Sequence, residues 1–189
     1  MSTISHMVTV EELSQFPNDG MRRELRRGDL ITMPPLGFEH GRISARIVAK
    51  LFIHAEGQNL GLVISNDSGF LLEENPDTVL APDVAFISHT KLSRMVKRRG
   101  YHLGPPDLAV EVVSPSDRLN EVHDKAREFV GFGAADAWVV NPRDRSITIY
   151  AQDAEPVRLE SGDTLRDRNV LPGFECGVSD LIGTMLFDE

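Results

Sequence analysis

Asp83, Glu111 and Lys125 are the residues of this 189-residue chain whose types and settings could do chemistry together. Leu108, Ala109, Val110, Val112 and Val113 form a nearly continuous apolar run, the pattern of a strand buried on both faces, and Glu111 sits inside it. An ionised carboxylate there costs several kcal/mol unless a cation or dense hydrogen bonding compensates it. The segment VLAPDVAFI, residues 79 to 87, repeats the anomaly with Asp83. Two carboxylates on adjacent buried strands with a lysine close by suit one hard divalent cation, with coordination positions left for water and a phosphate. The lysine could orient or deprotonate the attacking water, or neutralise charge growing on the phosphate. That chemistry is phosphodiester hydrolysis, and an oxygen-rich set without clustered histidine or cysteine points to magnesium, with manganese as its substitute, over structural zinc. Each residue alone has a plainer reading. Asp83 follows Pro82 and could cap a turn, Glu111 could pair with Arg127, and Lys125 could be a surface lysine.

Positioning these groups requires a strand followed by a helix. Ser114-Pro115-Ser116-Asp117 combines a capping serine, a proline suited to the first helical position and an acid three residues on, so a helix is expected to start there. Its apolar stripe would be Leu119, Val122, Ala126, Phe129 and Val130, with Lys125 at the edge, able to snorkel along the sheet. Upstream, Thr9 to Glu12 reads as a capping box, RRELR and DLITM as a hairpin around Arg27-Gly28, and FEHGRISARIVAKLFIHAEG as a long amphipathic helix with Ile43, Ile47, Leu51 and Ala55 on one face. Leu60 to Ser65 and Gly69 to Glu73 read as a strand pair turning at Asn66-Asp67-Ser68-Gly69, and residues 79 to 87 as one strand. AWVVNP and SITIYAQ form a hairpin, with Trp138 in the core. Hairpins together with a strand-helix-strand crossover from Leu108 to Val140 imply a mixed sheet flanked by helices, class α/β or α+β, in a single domain over residues 1–189 with residues 1–7 disordered.

The formal net charge of −9 is the wrong sign for a surface that attracts nucleic acid everywhere. Residues 84 to 106 nevertheless contain no acid and carry Lys91, Arg94, Lys97, Arg98 and Arg99, candidate phosphate contacts. No apolar run is long enough to span a bilayer, and no basic start with a hydrophobic core marks a signal. One cysteine, Cys176, suits a reducing cytoplasm.

The succession TVEEL, REL with RGDLITM, MPPLGFEHGRI, APDVAF, PPDLAVEVVSPSD, a lysine in the next helix, and AWVVNP resembles the Uma-two family of restriction endonucleases, within the PD-(D/E)XK nuclease superfamily. The similarity runs from about Thr9 to Phe174. It implies a restriction-endonuclease-like fold with a mixed four-stranded core sheet and added strands. It also implies that Asp83 and Glu111 ligate the metal with the backbone carbonyl of Val112, that Lys125 is the helix lysine, and that Glu24 touches metal-bound water or holds Lys125. The superfamily's lysine two positions after the acid is replaced here by Val113, so Lys125 would reach the same space from the helix. Arg23 stands where an aromatic residue usually precedes Glu24. His40, in FEHGRI, would bind a phosphate oxygen or structure its loop. The expected function is a magnesium-dependent DNA endonuclease, for which a homodimer is the simplest way to cut both strands. The alternatives are a non-cutting nuclease-like scaffold acting as an interaction module, and a metal enzyme acting on RNA or a small phosphorylated molecule.

Overall fold

The computed structural model describes residues 6–184 apart from 66, 67, 95, 99 and 168, with backbone alone at Lys97 and Arg98. Residues 1–5 of the expected disordered start lie outside the described residues, while His6 lies 2.9 Å from Glu12 Oε1. Helix α1 (Val10–Leu13) opens on the expected capping box: Thr9 Oγ1 accepts the Glu12 N–H and Glu12 Oε2 accepts the Thr9 N–H. Strands β1 (Arg22–Arg26) and β2 (Asp29–Met33) form the first hairpin. Helix α2 (Phe38–Gly57) then buries Ile43, Ile47, Leu51 and Ala55, the four residues its spacing singled out. Burying each of the three larger side chains stabilises the fold by roughly 2 kcal/mol.

Beyond α2 come β3 (Gly61–Ser65), β4 (Phe70–Glu73), β5 (Thr78–Leu80), β6 (Val84–Ser88), α3 (His89–Leu92), β7 (Lys97–Arg98), β8 (Tyr101–Leu103) and β9 (Leu108–Val112). The chain continues through α4 (Leu119–Gly131), β10 (Asp136–Asn141), β11 (Ser146–Ala151), β12 (Val157–Leu159), β13 (Thr164–Asp167), β14 (Phe174–Gly177) and α5 (Val178–Ile182). One six-stranded sheet has the order β12-β11-β10-β9-β6-β3, and a second has the order β2-β1-β5-β4-β8-β7. β13 and β14 form a small hairpin of their own. The class is α+β with mixed sheets. The crossover through α4 makes β9 and β10 parallel, while β6 runs antiparallel to β9.

Alternation along the central strands divides the core. Val84, Phe86, Leu108, Val110, Val112, Trp138 and Val140 face α2, whereas Ala109, Val113, Ala137 and Val139 face α4. Glu111 falls in step with Ala109 and Val113, which turns its carboxylate towards α4.

Four sequence expectations are corrected. β3 and β4 do not pair: β3 runs along β6 in the central sheet and β4 along β5 in the other, because alternation identifies a strand without naming its partner. Of the turn expected between them, Asn66 and Asp67 lie outside the described residues. Residues 79 to 87 are two strands, since Pro82 has no N–H to give a ladder and the chain passes from one sheet to the other at Ala81-Pro82-Asp83. Helix α4 begins at Leu119, because the Asp117 carboxylate accepts the Ser114 N–H at 2.8 Å and closes a local turn instead. Leu119, expected on the buried stripe, is 40% exposed on that first turn. The central sheet has six strands, in keeping with a mixed four-stranded core and added strands.

Candidate metal and active site

The sheet-to-sheet crossing at Ala81-Pro82-Asp83 and the end of β9 lie side by side, because Val84 is in register with Val110. Asp83 and Glu111 therefore meet, both more than nine-tenths buried. Asp83 Oδ2 accepts the Val112 N–H at 2.7 Å and bonds His40 Nε2 at 3.0 Å. His40 comes from the first turn of α2, is itself buried, and has Ser44 Oγ 3.4 Å from its other ring nitrogen. The imidazole thus bonds a carboxylate of the site directly.

Lys125 reaches the cluster from α4. Its Nζ lies 2.8 Å from the Ala81 carbonyl oxygen, 2.7 Å from Glu24 Oε1 and 3.2 Å from Glu111 Oε2, so its three donors have three acceptors. Glu24, on β1, also accepts the Ala81 N–H at 3.0 Å. Ala81 is held from both of its peptide groups, and with it the crossing that carries Asp83. Arg23, next in the strand, turns outward to Asp19 and lies over the Phe16 ring.

The electrostatics are unbalanced. Glu24 and Glu111 contact one buried ammonium group, and the charge of a third buried acid, Asp83, acts on it from beyond contact. Burial, with the charges of Asp83 and Glu24, lifts the Glu111 carboxyl well above its usual range against the pull of Lys125. Burial pushes Asp83 the same way, but the His40 hydrogen bond and charge, the Lys125 charge and the Val112 N–H outweigh it and hold Asp83 low. Burial would lower Lys125, yet Glu111, Glu24 and Asp83 together raise it, so it stays an ammonium. Glu111 Oε1 is buried 3.1 Å from Nζ without a well-aligned hydrogen bond. An excess of buried negative charge and an incompletely satisfied carboxylate oxygen fit a divalent cation. Among the described residues no three histidine, cysteine, aspartate or glutamate side chains converge as ligands. Two carboxylates with water and phosphate completing the shell is the arrangement magnesium commonly takes.

A hollow of about 270 Å³ opens over Glu24, Asp83, Glu111, Val112 and Lys125, and a second of about 390 Å³ shares Leu36, His40 and Asp83 with it. The basic segment is elsewhere. Lys91 and Arg94 follow the far end of β6, five residues from Asp83 and hence about 16 Å away along the strand. Lys91 is tied to the Pro105 and Pro106 carbonyls and lies 3.4 Å from Asp107. Arg99 and the side chains of Lys97 and Arg98 lie outside what is described. Sequence reasoning missed the contact of His40 with Asp83 and the clamp of Glu24 on Ala81.

A family model described as "Putative restriction endonuclease" matches residues 10–179. A solved structure from Anabaena variabilis ATCC 29413, described as a "putative nuclease belonging to DUF820", superimposes with a TM-score of 0.79 over 93% of this chain and 97% of that one, at 16% identity. No curated protein matches the sequence. No helix among the described residues is long and apolar enough to cross a membrane.

Proposed function

The chain belongs to the Uma2 family, and from that premise we propose that it is a magnesium-dependent endonuclease hydrolysing DNA phosphodiester bonds. The observation that carries this reading is the pairing of one buried lysine with two buried carboxylates, Glu24 and Glu111, beside a third, Asp83, at the edge of an open hollow. Asp83, Glu111 and the Val112 carbonyl would hold the metal, with manganese as a substitute. When bound, the metal supplies Lewis-acid activation of the phosphoryl group and of water. Lys125, kept protonated by its carboxylates, serves as a fixed positive charge for the developing phosphorane oxygens and not as a base. Glu24 sets the position of Lys125, and His40 fixes which oxygen of Asp83 is free to face the hollow.

Calorimetric titration of manganese into the wild type and Glu111→Ala tests the metal site without any choice of substrate. Binding that disappears in the variant is expected. DNA cleavage that survives in purified Asp83→Ala or Lys125→Ala overturns the assignment. A second reading, a non-cutting interaction module or homodimer, draws on exposed Phe52 and Ile53 of α2 and Leu62 of edge strand β3. It predominates if the wild type binds no metal, with or without DNA, and sediments as a dimer.

A further inference from the structure

We propose that the hollow along α2, which shares His40 and Asp83 with the metal site, holds an unpaired nucleoside next to the phosphate under attack, so that the substrate is single-stranded or locally unpaired DNA. The proposal rests on the nuclease reading of the site and adds the form of DNA the site takes.

The two hollows that meet at Asp83 differ in chemistry. The one over Glu24, Glu111 and Lys125 is also lined by Arg22, Arg26 and Arg118, side chains that suit phosphate. The other, of about 390 Å³, has no lysine or arginine among the described residues that line it. Beyond His40 and Asp83 its walls are uncharged: Leu36, Val48 and Phe52 supply apolar surface, and Ser44 and Ser65 supply hydroxyls. A phosphate laid there would lose water and gain no cation in return. A base has apolar faces and a hydrogen-bonding edge, which these walls match.

Position selects the nucleotide. Gly41 and Ser44 lie within about a turn of His40, so this end of the hollow adjoins a phosphate held at Asp83. Phe52 lies about 16 Å further along α2 than Gly41 and is 46% exposed, a free face on which another base of the same strand can stack. Paired bases are stacked inside the duplex and reach neither surface unless they leave it.

Gly41 is otherwise unexplained. Its φ is outside the left-handed region, and a Cβ built on it would meet nothing within 4 Å, so neither backbone nor packing calls for glycine. Glycine there weakens the helix relative to alanine. What the missing side chain leaves is open space at the wall of the hollow.

The test uses the full chain with calcium in place of magnesium, so that binding is read without cleavage, and follows the fluorescence anisotropy of a labelled DNA single strand, its blunt duplex, and that duplex with one unpaired nucleotide. The wild type is expected to bind the single strand at least about tenfold more tightly than the blunt duplex. Gly41→Leu and, separately, Phe52→Ala are expected to weaken the single strand about tenfold and leave the duplex unchanged. Bulged duplex bound as tightly as the single strand assigns local unpairing, and bulged duplex bound no better than blunt duplex assigns single strands. Manganese calorimetry and thermal melts of the same variants report on the metal site and the fold; if Gly41→Leu melts early, the exposed Phe52→Ala decides. Preference for blunt duplex, or undiminished single-strand binding in a stably folded Gly41→Leu, overturns the proposal, and the nuclease reading survives where the wild type binds manganese and cuts duplex. A wild type that binds no DNA in any form overturns both.

Discussion

Lys125 Nζ lies 2.7 Å from Glu24 Oε1, and the same carboxylate oxygen accepts the Ala81 N–H, so a helix, a hairpin strand and the crossing between two sheets meet at one atom. Removing the ammonium leaves Glu24 and Glu111 buried without their cation. Lys125→Met is expected to destabilise the metal-free protein by about 3–5 kcal/mol at neutral pH, with magnesium restoring part of the loss. Urea denaturation with and without magnesium measures both. A solvated surface lysine would change stability by no more than about 0.5 kcal/mol.

Glu111 should trade stability for function. Its carboxyl titrates above the usual 4.5, so the folded chain holds that proton more tightly than the unfolded chain does. The contribution of this group to stability therefore falls as pH rises from the unfolded value through the folded one. Glu111→Gln removes that loss and is expected to stabilise the metal-free protein at pH 7 by about 1 kcal/mol while abolishing manganese binding. An unchanged or lower midpoint in denaturant at pH 7 contradicts the charge imbalance.

Much of this site was legible because burying a carboxylate is costly, so an acid inside an apolar run attracts attention in a sequence. Glu111 and Asp83 stood out that way, and Lys125 through the helical stripe beside it. The partner of a strand is a long-range choice that local alternation does not encode, which is why β3 and β4 looked like a pair. Pro82 carried the sign of a break, yet the apolar residues on both sides of it read as one strand.

His40 holds Asp83 through a 3.0 Å bond, and its other ring nitrogen lies 3.4 Å from the Ser44 hydroxyl oxygen. His40→Gln preserves the helix and its packing but loosens that oxygen. Manganese affinity is expected to fall about 10–100-fold with little change in thermal midpoint. Calorimetry paired with thermal melts separates this outcome from simple misfolding.

Gly61 tests the pairing of β3 with β6. A Cβ built there would stand 2.1 Å from the Ile87 carbonyl oxygen, a clash with backbone that no rotamer relieves. Gly61→Ala is expected to cost about 2 kcal/mol or more, against a gain of about 0.5 kcal/mol if β3 were a free strand. Equilibrium unfolding of the variant gives the sign.

Asp136 gives the fold a pH dependence of its own, away from the candidate metal site. Burial, and next the charge of Asp167, lift its carboxyl from 3.8 to about 6, while the Asn169 side-chain amide, 3.3 Å away, pulls the other way. Because the folded value is the higher one, the native chain binds this proton more tightly, and stability from Asp136 falls as pH rises from about 4 through about 6. The full shift corresponds to at most about 3 kcal/mol. Asp136→Asn is expected to recover that amount at pH 8 and to converge with the wild type near pH 4. Denaturation curves of both proteins at half-unit pH steps measure the gap, and a constant difference across the range would place the effect in packing instead of titration.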